Sequence, residues 1–257
     1  MKKLPFAVSI PHGGTDIPEE FRPHVIATPD CMKEDVDHLT REICFVPEKR
    51  IQHSLTFSTS RTFVDLNRPP DSYGPDFPDG VVKTKTHLHK AVYKELPSEE
   101  AIQKVLARLY VPYHQKLSKI VKDPAVKLTL DCHSMSPFGL PSSPDEPGQE
   151  RPPICLGYKD GTSASPAIMN SLHRIMAEVY DLDTSQIWID KPFNGGYITR
   201  SYGSLETPII QIEFSRGFYM PSVLHEASPS LAEEELQKWS ERFQETLERL
   251  AAEDLFH

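Results

Sequence analysis

Val126-Lys127-Leu128-Thr129-Leu130-Asp131-Cys132-His133-Ser134 is an apolar run of strand character that ends in chemistry. Alternation along a strand puts Asp131 and His133 on one face and Cys132 on the other. A carboxylate two residues before a histidine suits an imidazole held in a fixed orientation. The pair suits a metal ligand, although taken alone a hydrogen-bonded core histidine is the commoner outcome. Cys132 reads as a small buried hydrophobe rather than a nucleophile. Further runs of strand character are Phe6–Ile10, Thr62–Leu66, Ile154–Leu156 and Ile209–Ile212, with Leu55–Phe57 and Gln186–Ile189 weaker.

Helical patterns lie between these runs. Ser98 followed by Glu99 and Glu100 opens one whose apolar face is Ile102, Val105, Leu106 and Leu109, and Pro112 should kink or break it before Leu117, Ile120 and Val121. Ser165-Pro166 reads as an N-cap with proline in the first turn, leading into Ile168, Leu172, Ile175 and Val179. Ser230 and Glu233 form a capping-box pattern ahead of a C-terminal helix with Leu236, Trp239, Phe243, Leu247 and Leu250 inward. Alternating strands and helices predict an α/β fold: a single domain over residues 1–257 with a mixed, mostly parallel central sheet and helices on both faces. In such sheets ligands gather at the carboxyl ends of the strands.

Composition narrows the function. A formal charge of -9 over 257 residues argues against a general nucleic-acid binder, which needs a basic face. No apolar stretch approaches the length of about 18 residues that a membrane span needs, and the start lacks the pattern of a signal peptide. The four cysteines, Cys31, Cys44, Cys132 and Cys155, are widely spaced and read as reduced thiols, so a cytoplasmic location is expected. The 24 prolines concentrate around residues 69–78 and 137–153, predicting two long loops.

Several polar groups follow the apolar runs. Pro11-His12-Gly13-Gly14 sets a histidine after the first run, beside glycines that let a ligand or a neighbouring chain approach. Glu213 closes Ile209–Ile212, where an unpaired carboxylate is costly to bury, so it either pairs, for example with Arg216, or does acid–base work. Glu34-Asp35-Val36-Asp37-His38 offers carboxylates ahead of a helical pattern. They would serve as ordinary helix-dipole partners or complete a set of two histidines and one carboxylate, the usual hydrolytic zinc arrangement. Arg61, Asn67 and Arg68 flank Thr62–Leu66, and Asn194, Tyr197 and Arg200 follow a Gly-Gly pair; guanidinium groups clamp carboxylates, although surface ion pairing is the commoner use. His87, His89 and His114 read as loop, surface or structural residues.

Taken in chain order, SIPHGG, RTFVDLNRPPD, YVPYH, LDCHS, NGGYITR and QIEFSRGFYM resemble the N-formylglutamate amidohydrolase family from about residue 6 to residue 220. The more specific elements are DLNRP and the pattern Glu213, Arg216, Tyr219, Met220. The resemblance implies a fold similar to zinc carboxypeptidases, an eight-stranded mixed sheet between helices. It also implies a metal-dependent hydrolase acting on the N-acyl amide of an acidic amino acid, with N-formyl-L-glutamate as the reference substrate. His12 and His133 then match the histidine ligands and Glu213 the general base of one divalent ion, zinc as the first choice. Asp37 is favoured as the third ligand, with Asp35 and Glu34 open, because the carboxypeptidase spacing would put a carboxylate where Thr15 stands. Arg61, Asn67 and Arg68, followed by Asn194, Tyr197 and Arg200, become the substrate-carboxylate set, with Asp65 expected to tie up one arginine. A different N-acyl amino acid or small amide, or a carboxylate-binding protein of the same fold, are the alternatives.

Overall fold

The computed structural model describes residues 3–256. Six strands, β1 (Leu4–Ile10), β2 (Ile51–Thr56), β3 (Leu128–Met135), β4 (Ile154–Gly157), β5 (Ile187–Ile189) and β6 (Ile209–Ser215), form one sheet in the order β2-β1-β3-β6-β4-β5. Pairing is parallel throughout except between β4 and β6, so the sheet is mixed and mostly parallel. It has six strands among the described residues, against the eight implied by the resemblance.

The sheet is covered on both faces. α1 (Glu99–Val105) and α2 (Val111–Val121) lie on one side; α3 (Pro166–Tyr180) and α5 (Glu233–Ala251) lie on the other, and a short α4 (Tyr197–Tyr202) precedes β6. Period-two alternation sorts the central strands. Phe6, Val8 and Ile10, Leu128, Leu130 and Cys132, and Ile210, Ile212 and Phe214 pack in the core against α3 and α5. The opposite face of the same strands carries Ser9, Asp131, His133, Gln211 and Glu213, all buried. One sheet therefore has an apolar face that holds the fold together and a partly polar face that points toward the site.

Local chemistry accounts for most helix ends. Ser98 and Ser165 accept hydrogen bonds from Ala101 and Ile168 N–H as N-caps. The capping box at Ser230 is absent: α5 begins at Glu233 behind Ala232, and three glutamates in its first turn complement the helix dipole. Pro112 does not break the chain out of helix. Leu106–Tyr110 widens into a π-turn between α1 and α2, and Pro112 falls in the first turn of α2, where a missing N–H is tolerated.

Thr62–Leu66 is not a strand. Phe63 and Val64 turn their N–H groups onto the Ser60 carbonyl, and Asp65 takes the Val81 carbonyl. Phe63, Val64 and Leu66 are wholly buried, so the apolar run reflects a packed loop rather than a sheet ladder. The acidic segment likewise precedes only a single helical turn, Thr40–Ile43, which leaves Asp37 on irregular backbone.

Candidate active site

Neighbouring strands deliver three functional side chains to one place. His12 follows the end of β1, His133 lies on β3, and Glu213 sits on β6 in direct register with His133. Gly14 permits this entry: a Cβ there would lie 2.3 Å from the Ser58 carbonyl, so only glycine lets the two chains pass. Asp37 joins from the irregular segment, anchored by its N–H to the His12 carbonyl at 3.2 Å and accepting from Ser134 N–H at 3.1 Å.

Each imidazole is held from behind by a carboxylate. His12 Nε2 meets Asp65 Oδ1 at 2.8 Å, and His133 Nε2 meets Asp131 Oδ2 at 3.0 Å. Asp131 is itself steadied by the Ser9 hydroxyl, which donates to Oδ1 at 2.9 Å. A nitrogen facing a carboxylate carries the proton, so both Nδ1 atoms present lone pairs forward. They lie 3.0 Å apart, with Asp37 Oδ2 3.1 Å from His133 Nδ1 and 3.5 Å from His12 Nδ1.

Two nitrogen lone pairs and a carboxylate oxygen turned on one point repel each other unless a cation stands between them. Tetrahedral zinc ligands at about 2.1 Å stand about 3.4 Å apart, close to these separations. The donor set therefore fits a divalent ion, and His12, Asp37 and His133 are buried together in the geometry of such a site. The same electron-rich point shapes the acid–base behaviour of its members. Burial pulls His133 down, yet Asp131 and Asp37 outweigh it and hold the imidazole well above its ordinary pKa. Burial raises Asp37, and the pull of the two imidazoles, which donate to it only where a proton rather than a cation stands between them, overcomes that and leaves it well below the carboxylate range.

Glu213 has a different balance. Burial pushes it up, His133 opposes, Asp37 adds to the rise, and the result is about 7. Its Oε1 accepts from Gln211 Nε2 at 2.7 Å, and the amide oxygen of Gln211 accepts from Gly196 N–H at 2.7 Å. The hydrogen bond from Gly196 thus fixes the amide orientation that presents a donor to Glu213. Arg216 is not its partner; it pairs with Glu34 and donates to the Val36 carbonyl at 2.8 Å.

These groups floor a cavity of about 300 Å³. Arg61, Asn67, Arg68, Asn194 and Arg200 all line it, whereas Tyr197 does not and packs against His114 at 5.8 Å between ring centres. Arg61 donates twice to Asp65 Oδ2, at 3.1 and 2.7 Å, and Arg68 donates to Asp79 Oδ2 at 2.5 Å. Both arginines are thus tied to carboxylates, where a single tie was expected. Among the described residues Arg200 bonds only neutral groups, the Gly195 carbonyl at 2.6 Å and the Asn194 amide oxygen. Asn67 accepts from Ile198 N–H at 2.8 Å and holds the loop that carries Gly195 and Gly196. A Cβ on Gly196 would come within 2.1 Å of the Asn67 amide, and Gly195 adopts φ +106°, so each position of the pair requires glycine for its own reason.

The three carboxylates left open by sequence separate cleanly. Glu34 belongs to Arg216, Asp35 to Lys83 and the His87 N–H, and Asp37 alone reaches both histidines. Sequence reading missed Gln211, Asp79, Arg151 and the part played by His87, all of which line the cavity. Gln211 was accessible in principle, since it shares the strand face of Glu213 two residues away. Arg151, paired bidentately with Asp145 at 2.8 and 2.7 Å, lies inside a proline-rich loop with no periodicity to mark it.

A family model described as N-formylglutamate amidohydrolase matches residues 4–220. A search of curated proteins returned no match. Among solved structures, an N-formylglutamate amidohydrolase from Ralstonia eutropha JMP134 superposes with a TM-score of 0.80 at 21% identity, covering 97% of this chain and 94% of its own. The gene product Atu2144 from Agrobacterium tumefaciens gives 0.68 at 16% identity, covering 96% and 89%. At these identities the two structures speak to the fold.

Proposed function

The chain belongs to the N-formylglutamate amidohydrolase family, and from that premise we propose that it hydrolyses the N-acyl amide of an acidic amino acid. The reaction to test first is N-formyl-L-glutamate and water giving formate and L-glutamate. The supporting observation is the convergence of His12 Nδ1, His133 Nδ1 and Asp37 Oδ2 beside Glu213 on the next strand.

In this reading His12, Asp37 and His133 hold one divalent ion, zinc on the chemistry of two nitrogens and one oxygen. When bound, such an ion acidifies a coordinated water and polarises the acyl oxygen. Glu213 takes the proton of the attacking water and hands it to the departing amine. A pKa near 7 suits both halves of that task, because the group is neither too weak a base nor too weak an acid at neutral pH. Gln211 keeps Glu213 oriented through its amide. Asp65 and Asp131 keep the imidazoles facing forward.

The substrate's carboxylates require positive charge that is not already spent. Arg61 and Arg68 share theirs with Asp65 and Asp79, and Arg151 shares its own with Asp145. Arg200 has no carboxylate partner among the described residues and lies on the cavity wall. It therefore moves ahead of Arg61, Asn67 and Arg68 as the anion-binding residue, with Asn194 holding its guanidinium. Tyr197, off the wall, supports the loop through its packing on His114.

Elemental analysis of the purified protein alongside formate release from N-formyl-L-glutamate tests the proposal. One metal per chain with turnover upholds it; a protein that neither retains nor responds to metal removes the mechanism. Metal without formate release favours a second reading, a larger N-acyl group, for which Met135, Leu140, Pro192 and Phe193 provide an apolar part of the wall.

A further inference from the structure

Lys83 is completely buried, and no step proposed above uses it. Its ammonium stands 3.2 Å from Asp35 Oδ1 and 3.9 Å from Asp65 Oδ2, touches Asp79 Oδ1, and donates to His87 Nε2 at 2.9 Å. A cation taken out of water so fully survives only among charges that compensate it. Its partners lead straight to the cavity. Asp65 holds Arg61 and the His12 ring, and Asp79 holds Arg68.

The division of the Asp79 carboxylate is the telling detail. Oδ1 faces Lys83 while Oδ2 accepts from Arg68. An aspartate serving one arginine alone would neutralise it; shared with a lysine, it leaves Arg68 part of its charge for another anion. The block as a whole has three cations, Arg61, Arg68 and Lys83, against three carboxylates, Asp35, Asp65 and Asp79. Without the lysine it would turn net negative next to a cavity that must admit an anion. Low dielectric makes that difference felt across several ångströms.

We propose that Lys83 is a positioning residue which, acting through Asp79, sets the positive charge that Arg68 presents to the cavity and so the affinity for a dicarboxylate. The inference rests on the carboxylate-binding cavity argued under the proposed function.

The test is calorimetric titration of glutarate, a dicarboxylate with no scissile bond, into metal-loaded wild type, Lys83→Met, Asp79→Asn and the double variant. Metal content and thermal stability are followed in parallel. Lys83→Met weakens glutarate about fivefold at unchanged metal content, a smaller loss than removing an arginine that meets the anion itself, as expected for one member of a buried charge network. On the Asp79→Asn background the same step changes the dissociation constant by less than about threefold, because the path through Asp79 is already cut. Equal affinity in wild type and Lys83→Met overturns the proposal, as does an undiminished effect on the Asp79→Asn background. If Lys83→Met alone does not fold, the comparison of Asp79→Asn with the double variant decides, since the latter removes both buried charges together; a loss of about fivefold there overturns it. Failure of wild type to bind glutarate at all sinks the carboxylate cavity itself, whereas binding indifferent to Lys83 sinks only the role of Lys83.

Discussion

The floor and the wall of the cavity are built on opposite plans. The floor, His12, His133 and Glu213, rides on or just beyond three adjacent strands, and the backbone ladder sets its spacing. The wall, residues 61–87, 137–151 and 192–200, is irregular chain except where Arg200 sits on the short α4, and it is held by ion pairs and side-chain-to-backbone hydrogen bonds. On the floor, like donors are forced together until they call for a cation. On the wall, opposite charges are paired until little remains free. Strands can impose such repulsion because their own hydrogen bonds and the apolar face beneath them hold the backbone in place. Loops have no such reserve, so Arg61, Arg68 and Arg151 are each anchored by a carboxylate of their own.

If that contrast is sound, floor substitutions abolish chemistry and wall substitutions tune affinity. His133→Ala removes one of the three proposed ligands and should eliminate both bound metal and turnover; an unchanged rate with metal retained would break the comparison outright. Glu213→Gln keeps the metal, as elemental analysis would show, and should lower kcat by about 10²–10⁴-fold, the usual worth of a positioned acid–base group.

Asp65→Asn probes the seam between the two regions, because Asp65 holds His12 from behind and Arg61 from the side. Metal affinity should fall by about 10–100-fold, measured by competition with a chelator. An effect on KM alone would assign Asp65 to the wall.

The pH dependence follows from Glu213. Its pKa in the folded chain is raised to about 7, so the base is protonated and kcat/KM falls below that point, about tenfold per pH unit. Stability runs the other way. With the folded pKa above the unfolded one, the folded chain binds more protons between about 4.5 and about 7, and stability falls as pH rises through that window. Metal-free Glu213→Gln should therefore resist denaturant better than metal-free wild type at pH 8, by about 3 kcal/mol, and match it more closely at pH 4. A gap independent of pH would show that Glu213 titrates normally.

The smallest effects belong to the arginines. Arg200→Ala should raise KM for N-formyl-L-glutamate about tenfold with kcat little changed, in keeping with the loss of one charge-assisted hydrogen bond. Arg68→Ala, with its charge already shared with Asp79, should cost less. The reverse ranking would mean that pairing does not set which charge is available.

What was legible in the chain and what was not divides along the same line. Period-two alternation is local, so Asp131 with His133 and Glu213 at the end of Ile209–Ile212 could be read from neighbours alone. The caps at Ser98 and Ser165 were equally local. Thr62–Leu66 misled because an apolar loop and a strand share a composition, and burial does not reveal which hydrogen bonds the backbone makes. Pro112 misled because a π-turn can absorb a missing donor that an α-turn cannot.

The amino-acid sequence by itself thus determined the α/β layering, the apolar face of the sheet, and the delivery of two histidines and a glutamate near strand ends. Tertiary structure alone decided that Asp37, rather than Glu34 or Asp35, reaches the histidines, because Arg216 and Lys83 lie 182 and 48 residues beyond those competitors. It also decided that Arg61 and Arg68 are paired while Arg200 has no carboxylate partner among the described residues. The reason is physical: facing is set by backbone geometry over two or three residues, whereas a charge takes whichever partner the folded chain brings within reach.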